Sequence, residues 1–382
     1  MSGLKILIVN ATLATRTGTE TYARDLAIGL LRKGHSPMVY APELGPIAEE
    51  LRSSNVLVVD KLNNVAVIPD IIHGNHNTEL ITALLQFETV PGIFVCHSPE
   101  DWISAPPAHP RILAYVAVDD ACRDRLVHEH SIPERLVRVH LHGADLTRFQ
   151  PREPLPEKPA RALVFSNNAN HWTHLNAVQA ACRRSGIQVD VAGAGMNATT
   201  AHPEFLLRKY DLVFAKARCA LEALAVGSAV ILCDAVGSGP LVTTAELDRL
   251  RRLNFGIHTL NEKVDANRLA QQIALYHASD ATEVSRRIRA GAGLESVVDD
   301  ALTLYRDVKK DFCNSTGSNW STENRAVAEY LRWLTLATRQ KQAETEAILT
   351  NSPTLKLRNR LGRLPMMESL LRRLSRFADP KS

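Results

Sequence analysis

An acidic side chain among small apolar ones is costly to bury unless it accepts hydrogen bonds. Glu222 stands in such company, between Ala220-Leu221 and Ala223-Leu224. A ribose diol would supply two donors to that carboxylate. Just before it come Lys216 and Arg218, on the loop that leaves a buried strand, Tyr210–Ala215, and enters a short helix. A helix start favours anions, so a diphosphate there would meet two cations and a helix dipole together. The competing reading leaves Lys216 and Arg218 solvated, with Glu222 paired to one of them.

Three further places carry chemistry. The turn Arg16-Thr17-Gly18-Thr19-Glu20 follows the first strand; Gly18 would let backbone N–H groups approach a polar ligand, and Thr19 reads as the cap of the next helix. His97 ends the buried run Phe94–His97, where a histidine can hold a sugar hydroxyl or phosphate, or move a proton. Asp234–Thr243 is a loop in which Gly237 and Gly239 either offer N–H groups to a ligand or punctuate a turn. His73-Gly74-Asn75-His76 lacks a third ligand nearby, so it predicts cleft lining and no metal.

These residues need strands to present them. Strand-like runs fall at Ile6–Asn10, Met38–Ala41, Val56–Asp60, Asp70–Gly74, Gly92–His97, Ala114–Asp119 and Arg138–His142. Most are continuously apolar, as in a parallel sheet covered on both faces. Amphipathic stretches at Glu20–Lys33, Glu79–Phe87 and Ala121–His130 alternate with them. A proline-rich linker, 151–160, separates this first domain, 1–150, from a second at 161–310. There strands are predicted at Ala162–Asn167, Val189–Gly193, Asp211–Ala215, Ala229–Asp234 and Phe255–Leu260. Its helices are His174–Ser185, Arg218–Val226, Val242–Leu253 and Asp265–Tyr276. Gly293–Lys310 and Ser321–Leu349 read as further helices, and 311–382 as a helical extension. The pattern predicts two Rossmann-like, doubly wound α/β domains.

Length and composition agree. The 382 residues suit two domains with an appendage, and a net charge of +4 excludes nucleic acid as the obvious partner. From Thr354 to Ser382 there are eight Lys/Arg against two Asp/Glu, so the basic character sits in a leucine-containing tail. Such a tail suits peripheral contact with an anionic membrane face or a protein partner. The six cysteines form no C-x-x-C pair and suit a reducing compartment. The first strand begins too early for a signal peptide, and no apolar run reaches the roughly 20 residues of a membrane span. The expected location is therefore cytoplasmic, or peripheral on the inner face of the cell membrane.

The order of motifs resembles a known family. Glu222-Ala-Leu-Ala-Val-Gly-Ser-Ala-Val-Ile is similar to the EAMA-x-G-x-PV segment of the family-4 glycosyltransferases. Asp70-Ile-Ile-His-Gly-Asn-His resembles their pDviHxHh stretch, and Gly18-Thr19-Glu20 their GGxE loop. Val116–Leu126 followed by Arg138–Phe149 resembles their vaVSexxrdxL…vxVixNGvDxxxF block. The similarity spans about residues 4–300. It implies a GT-B fold, with two Rossmann-like domains facing across a cleft, and transfer of a sugar from a nucleotide-diphosphate sugar to a glycan or lipid-linked acceptor. No cofactor beyond that co-substrate and no metal is implied.

On this resemblance His97 and Glu20 are the catalytic candidates. Gly18, Thr19, Asn167, Asn168, Lys216, Arg218, Glu222, Gly237 and Gly239 are the donor-binding ones. Two departures stand out. Phe214 occupies the place of the first glutamate of the family's E-x7-E motif, and Ser166–His171 replaces its Gly-Arg…Lys cations. Lys216 and Arg218 are then the substitutes for the missing cations. A nucleotide-sugar epimerase on the same fold, or a degenerate, non-catalytic scaffold, are the rival readings.

Overall fold

The computed structural model describes residues 3–315 and 319–351. The basic tail, Lys356–Phe377, lies outside the described residues, and with it the membrane or partner contact expected there.

The first sheet is built from β1 (Lys5–Val9), β2 (Ser36–Tyr40), β3 (Leu57–Val59), β4 (Ile71–Gly74), β5 (Gly92–Cys96), β6 (Ile112–Ala117) and β7 (Val137–Val139). Its helices are α1 (Gly18–Arg32), α2 (Pro46–Ser53), α3 (Asn77–Gln86) and α4 (Asp120–Asp124). All seven strands are parallel, in the order β3-β2-β1-β4-β5-β6-β7. The chain reverses its winding between β1 and β4, the point where open α/β sheets form a crevice beyond their strand ends. Every residue of β4 and β5 is buried, which is why these runs look uniformly apolar.

The second sheet comprises β8 (Arg161–Phe165), β9 (Gln188–Ala192), β10 (Leu212–Ala215), β11 (Ala229–Asp234) and β12 (Gly237–Leu241). Around it lie α5 (Leu175–Arg184), α6 (Pro203–Leu207), α7 (Ala217–Val226), α8 (Leu247–Arg252), α9 (Ala266–Ala274) and α10 (Ala278–Gly291). Alternate residues of β10 and β11 feed two cores. Val213, Ala215, Val230 and Leu232 pack with α7 and α10 on one face, and Leu212, Phe214, Ala229 and Ile231 with α5 and α9 on the other. Strand order is β12-β11-β10-β8-β9, so the winding reverses between β10 and β8.

This sheet corrects two expectations. Phe255–Leu260 is not a strand: Asn254 and Phe255 take φ of 50° and 52°, and a 3₁₀ turn follows at Ile257–Thr259. The fifth strand is instead β12, antiparallel to β11, in the segment read as a loop. An edge strand tolerates Pro240, because its missing N–H costs the ladder nothing on the open side. The helix expected at Val242–Leu253 shrinks to α8.

The chain then runs through α11 (Leu294–Asn314), which packs on α1 and β6 of the first domain. A separate unit begins at Asn319, and its described part is one helix, α12 (Trp320–Asn351). Among the described residues no helix is long and apolar enough to cross a membrane.

One buried cation closes the first domain locally. Arg111, 2% exposed, donates from its guanidinium to the carbonyls of Leu84, Phe87 and Val90, at and just beyond the end of α3. Those carbonyls lose their intrahelical donors where the helix stops. Replacing Arg111 by Met should therefore lower the unfolding free energy in urea by about 2–4 kcal/mol, the cost of stranding several buried acceptors.

Candidate functional site

The two points where the winding reverses face one cavity of about 460 Å³, within the range usual for small-molecule sites. Arg16, Thr17 and Gly18, beyond β1, line it from the first domain. Ser166–Asn168 beyond β8, Lys216–Cys219 beyond β10, Glu222 and Asp234 line it from the second. Five basic side chains reach it, Arg16, Arg24, Arg148, Lys216 and Arg218, against two acidic ones, Glu222 and Asp234. Such a wall suits an anion.

The cations are not free. Arg218 donates from Nε to Glu222 Oε1 at 2.8 Å and from Nη2 to Asp25 on α1. Asp25 Oδ1 also accepts from Arg24 Nε at 2.8 Å, and Arg24 reaches on to Glu50 at 2.8 Å. Burial opposes charge on Asp25, yet the Arg218 and Arg24 guanidiniums outweigh it and hold its carboxyl below the usual range. Burial also opposes charge on Arg218, but Asp25 and Glu222 outweigh it and keep the guanidinium charged. Glu222 shifts the other way: burial raises it, Arg218 only partly offsets this, and Asp25 adds repulsion.

Lys216 lies 3.1 Å from Asp234, which also accepts from Asn168 Nδ2 at 3.1 Å. Asn167 Oδ1 accepts from Ala194 N at 3.1 Å, tying the loops beyond β8 and β9 together. Gly193 makes that junction possible, because at φ 151° a Cβ would stand 2.0 Å from Ser166 O.

The structure therefore gathers Gly18, Asn167, Asn168, Lys216, Arg218 and Glu222 around one cavity. A Cβ at Gly18 would meet nothing within 4 Å, so the helix start is open. Thr19 is not in the lining, and the cap of α1 is Thr17 in its place. Glu20 is fully buried and accepts from Thr15 N, Thr15 Oγ1 and Thr17 N, so its carboxylate clamps the turn. Gly237 and Gly239 are not in the cavity lining. They lie on β12, where a Cβ would stand 2.7 Å from Leu260 O and 2.3 Å from Thr259 O, so they serve close backbone packing. Phe214 is fully buried in the second core.

His97 sits outside the cavity lining, in a group of rings at the strand ends of the first sheet. Its Nε2 donates to Asn75 Oδ1 at 2.9 Å, and its ring lies 4.8 Å from Tyr22 and 5.7 Å from His142. His73 Nδ1 meets Tyr305 Oη of α11 at 2.7 Å. His73 Nε2, Asn75 Nδ2, His97 Nδ1 and His142 Nε2 are buried without a protein partner among the described residues. Burial drives His73 and His142 down to about 3 and His97 well below its ordinary value. His76 accepts from Ala11 N and so belongs to the chain path. Among the described residues no group of three or more His, Cys, Asp or Glu could hold a metal.

Sequence reasoning missed Asp25, Arg24 and Arg148. Nothing local marks Asp25, because its partner Arg218 is 193 residues away.

Two Rossmann-like domains with a cavity at their opposed strand ends define the GT-B class of fold. Residues 16–148 match the family model described as Glycosyltransferase Family 4, so the resemblance holds across the first domain. A glycosyltransferase from Rickettsia africae ESF-5 is 16% identical with TM-score 0.59, covering 82% of this chain and 100% of that one. Anabaena Alr3699/HepE in complex with UDP is 14% identical with TM-score 0.60, covering 80% of this chain and 100% of that one. A putative UDP-N-acetylglucosamine 2-epimerase from Listeria monocytogenes is 11% identical with TM-score 0.51, covering 84% and 100%. These likenesses show the fold. No curated protein matches the chain.

The ring cluster has a consequence for pH. Its histidines titrate from about 6.5 when unfolded, whereas folded His73 and His142 stay neutral down to about 3. The unfolded chain thus takes up protons first, and the stability these groups contribute is complete above their unfolded value and lost as pH falls below it. The loss is at most about 1.4 kcal/mol per pH unit for each histidine. The melting temperature should fall between pH 7.5 and pH 5, and His142→Gln should flatten that slope. A level profile in the parent protein would contradict the buried neutral cluster.

Proposed function

We propose that this protein transfers a sugar from a nucleotide-diphosphate sugar to a hydroxyl of a glycan or lipid-linked acceptor, as in the assembly of surface polysaccharides. The observation that carries the reading is the single cavity shared by both points of reversed winding, with Lys216, Arg218 and Glu222 converging at the start of α7. The match of residues 16–148 and the UDP held by the structurally similar Anabaena protein support it.

In this reading Glu222 takes the ribose diol. Lys216, Arg148 and Arg218 face the diphosphate, and Gly18 leaves the first-domain helix start open to it. In the transfer, the bond from the sugar C1 to the diphosphate oxygen breaks and its electron pair stays on the diphosphate. The acceptor oxygen bonds to C1, and its proton leaves with the diphosphate. Preorganised cations stabilise the charge that develops on the leaving group, which is work a divalent metal would otherwise do. His97, held neutral behind the lining, fixes Asn75 and the ring cluster.

Titration calorimetry with a panel of nucleoside diphosphates should show selective binding of one of them, with uridine diphosphate the first to try. Lys216→Ala should weaken it about tenfold, or about 1.4 kcal/mol. Failure to bind any member of the panel would return the protein to a non-catalytic scaffold. Release of the 2-epimer from a nucleotide sugar without acceptor would favour an epimerase.

A further inference from the structure

The Asp25–Arg218 pair is a partition between two cavities. Arg218 lines the 460 Å³ cavity, whereas Asp25 lines an adjoining one of about 560 Å³ under α1 and α2. The two share Arg16, Arg24 and Arg148. Both members of the pair are nearly buried, with side chains 11% and 8% exposed. With Arg24 and Glu222 they form a charge-balanced quartet that is complete without any ligand.

A phosphate entering the smaller cavity meets an arginine already neutralised by two carboxylates, one of them supplied by the opposite domain. We propose that Asp25 gates the donor site: its carboxylate occupies on Arg218 the place a donor phosphate takes, and the phosphate binds by displacing it. Displacement frees α1 from α7 and joins the two cavities, so donor binding and movement of the domains are one event. Arg24 holds the released carboxylate, since it already donates to both Asp25 and Glu50. Only the fraction of molecules with Arg218 released binds the anion, and apparent affinity is reduced by that fraction. This rests on the donor-site reading above.

The test uses the full chain and uridine diphosphate. Asp25→Asn keeps the shape and removes the charge, so nucleotide should bind about tenfold more tightly, and the unliganded protein should show a larger radius of gyration in X-ray scattering. Asp25→Glu keeps the competing charge and should stay within about twofold of the parent. Unchanged or weaker binding by a cooperatively melting Asp25→Asn overturns the gate, as does an equal gain in Asp25→Glu, which remains decisive if the asparagine variant does not fold. If neither parent nor variants bind any nucleoside diphosphate, the donor-site reading fails. The gate is then judged by the radius alone, and no expansion overturns it.

Discussion

A guanidinium removed from water must be surrounded by carboxylates or leave its site. Arg218 satisfies that demand from two directions, through Glu222 one helical turn along α7 and through Asp25 on the first domain. The first partner is local and would exist in any α7 helix. The second exists only because two independently wound sheets bring their strand ends together. Most of the cavity's character follows: its net positive wall, the raised Glu222 carboxyl, and the partition from the space under α1 and α2.

The start of α7 and the ring cluster at the first sheet's strand ends use opposite electrostatics. On the second domain, charge is retained by pairing, as in Lys216–Asp234 and Arg218–Glu222. On the first, burial strips charge from His73, His97 and His142, leaving neutral rings packed about Tyr22. Neutral imidazoles can donate and accept hydrogen bonds without repelling one another, whereas three imidazoliums at these spacings could not stay buried.

The departures from the resembled family are physically consistent among themselves. Phe214 lies in the second core, facing α5 and α9, and fills apolar space there. The loop beyond β8 carries Asn167 and Asn168 in place of cations. These amides tie the loop to Ala194 and to Asp234, so its contribution is to position Lys216's partner. The cations at this end of the second sheet, Lys216 and Arg218, lie beyond β10, where the α7 terminus adds its own dipole.

Periodicity alone located all seven strands of the first sheet and four of the second, since most are buried on both faces and so apolar throughout, β7 and β9 being partly exposed. It also placed Lys216, Arg218 and Glu222 on one loop and helix, because that proximity is local. It misjudged β12, whose Gly237 and Gly239 look like a loop until the backbone of Thr259 and Leu260 is seen against them. It assigned Glu20 to chemistry, and the structure adds that its carboxylate clamps the turn before α1. What the sequence determined by itself is the alternation of elements and the local cluster at α7, both set by spacing along the chain. Only the tertiary structure decided that Arg218 has a second partner in the other domain, because Asp25 is distant in sequence and near only when the domains face each other.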